Sequence, residues 1–177
     1  LEIGLNPKAA MCKPALRPAS HAKPICFYGT SITQGGCATR AGMAYPAILG
    51  RMLERPTINL GFSGNGQMEP EMASLLAELD VAVYVLDALP NMQKQMVAER
   101  VVPFVEILRK AHPDTPIVLV ENLPYQYTLF LPKPRQEQKE KNQTLRAAYE
   151  QLVKKGVRNL TYVPGENLVG HDGEATV

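Results

Sequence analysis

The stretch Cys26-Phe27-Tyr28-Gly29-Thr30-Ser31-Ile32-Thr33-Gln34-Gly35-Gly36 joins an apolar run to a serine that is flanked by glycines. Its apolar start, from Ile25 to Tyr28, is typical of a buried strand, and the glycines indicate that the chain then turns sharply. A serine at the carboxyl end of a buried strand is presented to a crevice, which makes Ser31 a candidate nucleophile. At this point a structural or phosphate-cradling Gly/Ser turn is an equal alternative, because short Gly/Ser patterns recur by chance.

The composition indicates one globular domain. The chain has 177 residues, of which 45% are apolar and 20% are charged, so it can bury a sizeable core. A net charge of +2, with no Lys/Arg run interleaved with aromatic residues, argues against a nucleic-acid partner. No apolar run approaches the roughly 18 residues that a membrane-spanning helix needs. The sequence does not determine the oligomeric state. It is compatible with a periplasmic or secreted location and with a cytoplasmic one.

The cysteines predict neither a disulfide framework nor a metal site. Cys12, Cys26 and Cys37 are few and irregularly spaced, and no Cys/His spacing is typical of metal binding. We therefore predict no metal and no cofactor. Cys37 lies close behind Ser31 and is a rival nucleophile, although it has no neighbouring base in the sequence.

Apolar runs alternate with helical patterns from Pro24 onward, and this alternation predicts the fold. The predicted strands are Ile25–Tyr28, Thr57–Leu60, Val81–Leu86, Ile117–Val120 and Thr161–Val163. Runs that are apolar at nearly every position, such as the third, are typical of strands covered on both faces. Five strands separated by helices predict an α/β fold, a three-layer α/β/α structure around a parallel five-stranded sheet.

The segments between the strands carry the helical period. They are a helix that begins near Pro46, Met72–Leu79, Gln93–His112 and Leu145–Val153, the last with a stop at Gly156. The charged run Arg135–Gln143 is interpreted as the solvated start of the last helix. Pro103 predicts that the third helix is kinked or split in two.

The loops that follow the first three strands carry the predicted site, because the carboxyl ends of parallel strands meet at one edge of a sheet. They contain Ser31, Gly61–Gly66 and Asp87–Met92. The N–H groups of Ser31 and Gly64 and the side-chain NH2 of Asn91 could form an oxyanion hole, each donor stabilising the transition state by roughly 3 to 4 kcal/mol. Each residue also has a purely structural alternative. Gly64 could be glycine only because the backbone adopts a positive φ there, and the side chain of Asn91 could hydrogen-bond only within its own turn.

The three blocks in this order resemble the SGNH hydrolases, also called GDSL-like esterases. Tyr28–Gly36 is similar to the first block of bacterial acetylhydrolases of this kind, and the resemblance covers roughly residues 24–177. It implies a flavodoxin-like hydrolase fold in which Ser31 is the nucleophile and Gly64 and Asn91 complete the oxyanion hole. It also implies hydrolysis of short-chain esters, acetyl above all, of carbohydrates or small molecules. The usual aspartate of the first block is replaced by Thr30.

The histidine base that this resemblance implies does not appear in its expected motif. In the family it belongs to an Asp-x-x-His block, and no aspartate of this chain is followed three residues later by histidine. His21 lies in a predicted linker and His112 precedes the fourth strand, whereas His171 follows the last strand and is the remaining candidate. We therefore interpret residues 24–177 as a hydrolase domain truncated before that block, and expect the chain alone to hydrolyse p-nitrophenyl acetate very slowly.

Residues 1–23 hold three prolines and little periodicity, which predicts a linker or the tail of an upstream domain. Similar proteins can carry a small β-rich domain in that position.

Two functional alternatives remain open at this point. One is a flavodoxin-like module whose loop at Thr30, Ser31 and Thr33 cradles a phosphate or nucleotide. The other is a non-catalytic domain that retains the fold. On the substrate side, Tyr125, Tyr127 and Phe130 could stack on a sugar, cover the core or form a subunit interface.

Overall fold

The predicted apolar runs form one parallel sheet. The computed structural model describes residues 4–13 and 15–169. Its strands are β1 (Ile25–Gly29), β2 (Thr57–Gly61), β3 (Val83–Asp87), β4 (Ile117–Val120) and β5 (Leu160–Val163). They lie in the order β2-β1-β3-β4-β5, and each neighbouring pair is parallel. The predicted α/β fold with a parallel five-stranded sheet is confirmed.

Helices make all the connections between these strands. They are α1 (Ser31–Gln34), α2 (Tyr45–Met52), α3 (Pro70–Leu76), α4 (Lys94–Ala111) and α5 (Pro132–Lys154). In the described part of the chain there are also four short 3-10 turns, Ala19–His21, Ala41–Met43, Leu89–Asn91 and Gln126–Leu129. The charged run after Pro134 is the first half of α5, as predicted.

Different helices cover the two faces of the sheet. Side chains alternate along a strand, so the paired residues Tyr28 and Leu86 point to one face and the paired residues Phe27 and Val85 to the other. The first face belongs to a core that includes Leu76 of α3, Phe104 of α4 and Leu145 of α5. On the second face the ring of Phe27 packs edge-on against Tyr45 of α2, with 5.5 Å between centroids. The predicted three layers are therefore present.

Helix α4 is continuous over 18 residues, so the alternative of two helices split at Pro103 is wrong. An interior proline removes one backbone hydrogen bond and costs about 3 kcal/mol. Val101, Phe104 and Val105, on either side of it, are fully buried. Each such side chain stabilises the fold by about 1.5 to 3 kcal/mol, and their sum exceeds the cost of the proline.

Several predicted boundaries differ from the structure, and one stop signal is confirmed. β3 begins at Val83 and not at Val81, since its pairing with β1 starts where Val83 faces Ile25. α3 ends at Leu76 and not at Leu79. After α5, Gly156 has a φ of +82° and its N–H donates to the Val153 carbonyl, which ends the helix.

The segment before β1 is tied to the domain by an arginine. Arg55 donates to the carbonyls of Ser20 and Lys23, at 2.5 and 3.0 Å. The division into a linker at 1–23 and a hydrolase domain at 24–177 stays a prediction. Across residues 4–13 and 15–169, no helix combines the length and the apolar character needed to cross a membrane.

Candidate active site

Ser31 is the first residue of α1, and only Thr30 separates it from the end of β1. Thr30 caps this helix: its Oγ1 accepts a hydrogen bond from the N–H of Ile32 at 3.1 Å, and its N–H donates to Thr33 Oγ1 at 3.2 Å. An aspartate at position 30 would cap the helix in the same way, so threonine can replace it without displacing the serine. On the other side of the turn, the N–H of Gly36 donates to the Ser31 carbonyl at 2.8 Å.

The hydroxyls of Thr30 and Thr33 point inward. Both residues are fully buried, and both take part in capping α1. Thr33 Oγ1 also donates a hydrogen bond to Asp87 Oδ2 at 3.2 Å. A phosphate cradle needs free hydroxyls and N–H groups at a helix start, and a carboxylate beside it would repel the anion. The geometry therefore does not support the phosphate-binding alternative.

Asp87, the last residue of β3, joins three elements at the site. Its Oδ2 accepts hydrogen bonds from Tyr45 OH at 2.8 Å and from Thr33 Oγ1 at 3.2 Å. Burial raises the pKa of the Asp87 carboxyl to about 6, although these two hydrogen bonds act in the opposite direction. Burial and the Asp87 charge together raise the pKa of Tyr45, so its hydroxyl stays a donor. Asp87 thus holds α1 and α2 against the end of β3.

The loop after β2 packs on the end of β1. The N–H of Phe62 donates to the Gly29 carbonyl at 3.0 Å, and a Cβ on Gly66 would lie 2.1 Å from that carbonyl oxygen. Position 66 therefore requires glycine. Gly64 has a φ of +71°, is exposed, and has open space where a Cβ would lie. Its backbone can therefore be approached by another molecule.

Asn91 lies in the turn that follows β3 and reaches the loop after β2. Its Nδ2 donates to the Phe62 carbonyl at 3.0 Å, so the alternative that Asn91 bonds only its own turn is wrong. An amide carries two N–H protons, and the second remains for a ligand. Gln67 Nε2 joins the same two loops, donating to the carbonyls of Gly64 at 3.2 Å and Asn91 at 3.3 Å.

Ser31, Asp87 and Asn91 line one cavity of about 1040 Å³. Its floor is the second face of the sheet, and its walls include α2 and the segment after β5. The apolar lining residues include Phe27, Val85, Val118, Ile48 and Leu49. Cys37, an exposed thiol, also lines this cavity, so its candidacy as a rival nucleophile stays open.

The histidines that the structure describes lie at the opposite edge of the sheet. The ring of His112 contacts Tyr84 near the start of β3, and its Nε2 is 2.8 Å from the Ala77 carbonyl oxygen. His21 belongs to the turn before β1. His171 lies outside the described residues. Between residues 4 and 169, leaving out Pro14, no histidine is therefore placed to accept the proton of Ser31.

The aromatic loop after β4 divides between the cavity and solvent. Tyr125 lines the cavity, and burial above all raises the pKa of its hydroxyl to about 12. Its ring stacks on Tyr127 at 5.4 Å and 10°. Tyr127 is half exposed and Phe130 is 82% exposed, so neither of these two rings covers the core.

Three residues of the site had no predicted role. Asp87 carried a usable signal, because it is a single acidic residue at the end of an apolar run. Gln67 and Tyr45 gave no such signal, because each bonds to a residue far away in the sequence, 24 and 42 positions respectively.

Comparisons with known proteins show the family and the fold. The chain matches the GDSL-like lipase/acylhydrolase family over residues 22–177. A protein from Bacteroides ovatus ATCC 8483 assigned as a GDSL-like lipase is 42% identical with a TM-score of 0.83, covering 87% of this chain and 46% of that chain. The salicylyl-acyltransferase SsfX3 of a tetracycline biosynthetic pathway is 24% identical with a TM-score of 0.73. The match covers 84% of this chain and 44% of that chain. A family two carbohydrate esterase from Clostridium thermocellum in complex with cellohexaose is 17% identical with a TM-score of 0.61. The match covers 92% of this chain and 58% of that chain.

The last two similarities show a shared fold. The chain spans less than two thirds of the length of each of these three structures. The search of curated proteins gave no match. Since the family match extends over most of its length, the chain belongs to the GDSL-like lipase/acylhydrolase family.

Proposed function

We propose that the protein is a serine esterase that removes short acyl groups, acetyl first among them, from oxygen esters. Ser31 Oγ bonds to the carbonyl carbon of the ester, and collapse of the tetrahedral intermediate expels the alcohol. An acyl ester of Ser31 remains. Water then attacks this ester, which releases the carboxylic acid and restores the serine hydroxyl.

The observation that carries this proposal is the convergence of three loops at the carboxyl edge of the sheet. Ser31 and Asn91 line the same cavity, and Asn91 is hydrogen-bonded to the loop that contains Gly64. The site lies where β1 has its neighbours β2 and β3 on either side, the switch point at which open parallel sheets bind ligands.

The oxyanion hole is formed by the N–H groups of Ser31 and Gly64 and by Asn91 Nδ2. This assignment is supported by the exposed, unobstructed backbone at Gly64 and by the amide proton that Asn91 does not use on Phe62. Donors held in place before the reaction stabilise the developing negative charge, and removal of one lowers kcat by about 100- to 1000-fold.

The base that accepts the Ser31 proton comes from outside the described residues. His21 and His112 lie at the other edge of the sheet, whereas Val169, the last described residue, lines the same cavity as Ser31. His171 is the candidate base in this sequence. A His171→Gln variant that loses ester hydrolysis would support this role, as would a rate in the unmodified protein that falls at acidic pH as the imidazole becomes protonated, and unchanged activity of the variant would exclude it.

The preference for acetyl is supported by the resemblance of the first block to acetylhydrolases. For the alcohol side we propose a carbohydrate or another small alcohol. The half-exposed ring of Tyr127, stacked on the cavity residue Tyr125, offers a flat surface for a sugar. Rates with p-nitrophenyl acetate, butyrate and octanoate test the acyl preference, and a Tyr127→Ala variant assayed on acetylated oligosaccharides tests the sugar. Fastest turnover of the octanoate would contradict the acetyl assignment.

The deciding experiment compares Ser31→Ala with Ser63→Ala. Ser63 is an exposed serine in the loop after β2 and serves as the matched control. We expect Ser31→Ala to abolish ester hydrolysis and Ser63→Ala to retain it, and a Cys37→Ser variant should also remain active. Equal activity of Ser31→Ala and the unmodified protein would refute the proposal. Because the chain alone is expected to hydrolyse esters very slowly, the absence of hydrolysis above buffer would favour the non-catalytic alternative only in a protein that carries the Asp-x-x-His block.

A further inference from the structure

Gln67 occupies an unusual position between the two loops that carry Gly64 and Asn91. Its side-chain amide has two N–H protons, and the structure gives each a carbonyl acceptor, Gly64 O at 3.2 Å and Asn91 O at 3.3 Å. Asn91 also donates its own side chain to the Phe62 carbonyl. Asn91 is therefore tied to the loop after β2 at its side chain and at its main chain.

The main chain of Gln67 is fixed on both sides. Its N–H donates to Glu69 Oε2 at 3.2 Å, and its carbonyl accepts from Arg100 Nη1 at 3.0 Å. Arg100 and Glu69 form an ion pair at 3.8 Å. A side chain on a fixed main chain loses little further conformational entropy when it forms hydrogen bonds. The Gln67 amide can therefore hold the Gly64 and Asn91 carbonyls at a fixed separation.

The residues around Gln67 are anchored in the core. Tyr28, on β1, donates its hydroxyl to Glu69 Oε2 at 3.0 Å and accepts a hydrogen bond from the N–H of Met68 at 3.0 Å. Met68 is fully buried and adopts a φ of +54°, a conformation that non-glycine residues keep only where their surroundings impose it. The anchor of Gln67 thus extends to the strand that ends just before Ser31.

We propose that Gln67 is a positioning residue that fixes the distance between the Gly64 and Asn91 oxyanion donors. It touches neither substrate nor the reacting atoms and acts through the two carbonyls that it holds. This role rests on the proposed function, because an oxyanion hole has meaning only for an acyl-transfer site. Since donor strength depends on placement, loss of the amide weakens stabilisation of the transition state more than binding of the substrate.

The test replaces Gln67 with methionine, which has a similar length and cannot donate, and measures hydrolysis of p-nitrophenyl acetate. We expect kcat to fall about 10- to 100-fold, which is a smaller fall than the loss of a whole donor causes. KM should change less than about twofold. Gln95→Met is the matched control, because Gln95 lies on the exposed face of α4 and bonds only Glu99 among the described residues. Its kcat should equal that of the unmodified protein.

A double-mutant cycle separates positioning from a merely structural role. If Gln67 acts through Asn91, Gln67→Met should lower kcat less than about threefold when Asn91 is already alanine. Two results would overturn the role of Gln67 and leave the proposed function intact. One is an equal fall in kcat whether residue 91 is asparagine or alanine, and the other is an unchanged kcat in Gln67→Met while Ser31→Ala is inactive. Full activity of Ser31→Ala would overturn the proposed function and the role of Gln67 with it. Thermal melting of each variant confirms that the rates refer to folded protein.

Discussion

Replacing Asp87 with asparagine should stabilise the protein at neutral pH. Asp87 is only 6% exposed, and burial raises the pKa of its carboxyl from 3.8 to about 6. An asparagine oxygen can accept the same hydrogen bonds from Tyr45 and Thr33 that Asp87 Oδ2 accepts. The NH2 of the asparagine would take the place of Oδ1, which receives no hydrogen bond from the described residues. The exchange therefore removes a buried charge and keeps its contacts.

The size of the effect follows from the pKa. One pKa unit corresponds to about 1.4 kcal/mol, so a rise from 3.8 to about 6 destabilises the ionised protein by about 3 kcal/mol. Between these two pKa values the folded state binds a proton that the unfolded state has lost, so the free energy of unfolding falls as the pH rises. Asp87→Asn should gain about 1 kcal/mol near pH 4.5 and about 3 kcal/mol near pH 7.5.

The measurement is urea unfolding followed by circular dichroism at several pH values from 4.5 to 7.5. Asp114→Asn is the control, because the side chain of Asp114 is 82% exposed and such groups contribute little to stability. In a chain of this size, a gain of about 3 kcal/mol also raises Tm by roughly 6 to 12 °C. A gain that is independent of pH, or a variant less stable than the unmodified protein at pH 7.5, would refute the argument that the buried charge is costly.

Further predictions concern the loops around Ser31. Asn91→Ala should lower kcat for p-nitrophenyl acetate about 100- to 1000-fold with little change in KM, and a rise in KM alone would argue against its place in the oxyanion hole. Gly66→Ala brings a Cβ to 2.1 Å from the Gly29 carbonyl oxygen and should cost about 1 to 3 kcal/mol in chemical denaturation, with loss of activity. Gly64→Ala meets open space and should cost about 1 to 2 kcal/mol for its positive φ, so a clearly larger cost at Gly64 than at Gly66 would contradict the packing described.

The strands were predictable because strands of a parallel sheet covered by helices are apolar at nearly every position. Val83–Asp87 lies between two neighbouring strands and two layers of helix, and its residues are apolar up to the final aspartate. The edge of the sheet that carries the candidate site followed from the same strands, because parallel strands bring their following loops together. The amino-acid sequence was therefore sufficient to predict that Ser31 and Asn91 lie at the same edge of the sheet, where they line one cavity.

The supporting contacts were not predictable, because they depend on packing between distant segments. Asp87, Thr33 and Tyr45 come from β3, α1 and α2, and no local pattern links them. The continuity of α4 through Pro103 has the same origin, since burial of the residues beside the proline overrides its local effect. Gln67 contacts the carbonyls of two loops, and a glutamine in a polar stretch carries no mark of that role.

The covalent labelling of Ser31 tests the proposed chemistry most directly. The purified protein is incubated at length with a fluorophosphonate, which exchanges fluoride for the oxygen of an activated serine, and the modified residue is located by mass spectrometry of its peptides. We predict one adduct, on Ser31, that is absent from Ser31→Ala and retained in Ser63→Ala. An adduct on Ser63 or Cys37, or ester hydrolysis that continues in Ser31→Ala, would contradict the assignment of Ser31 as the nucleophile.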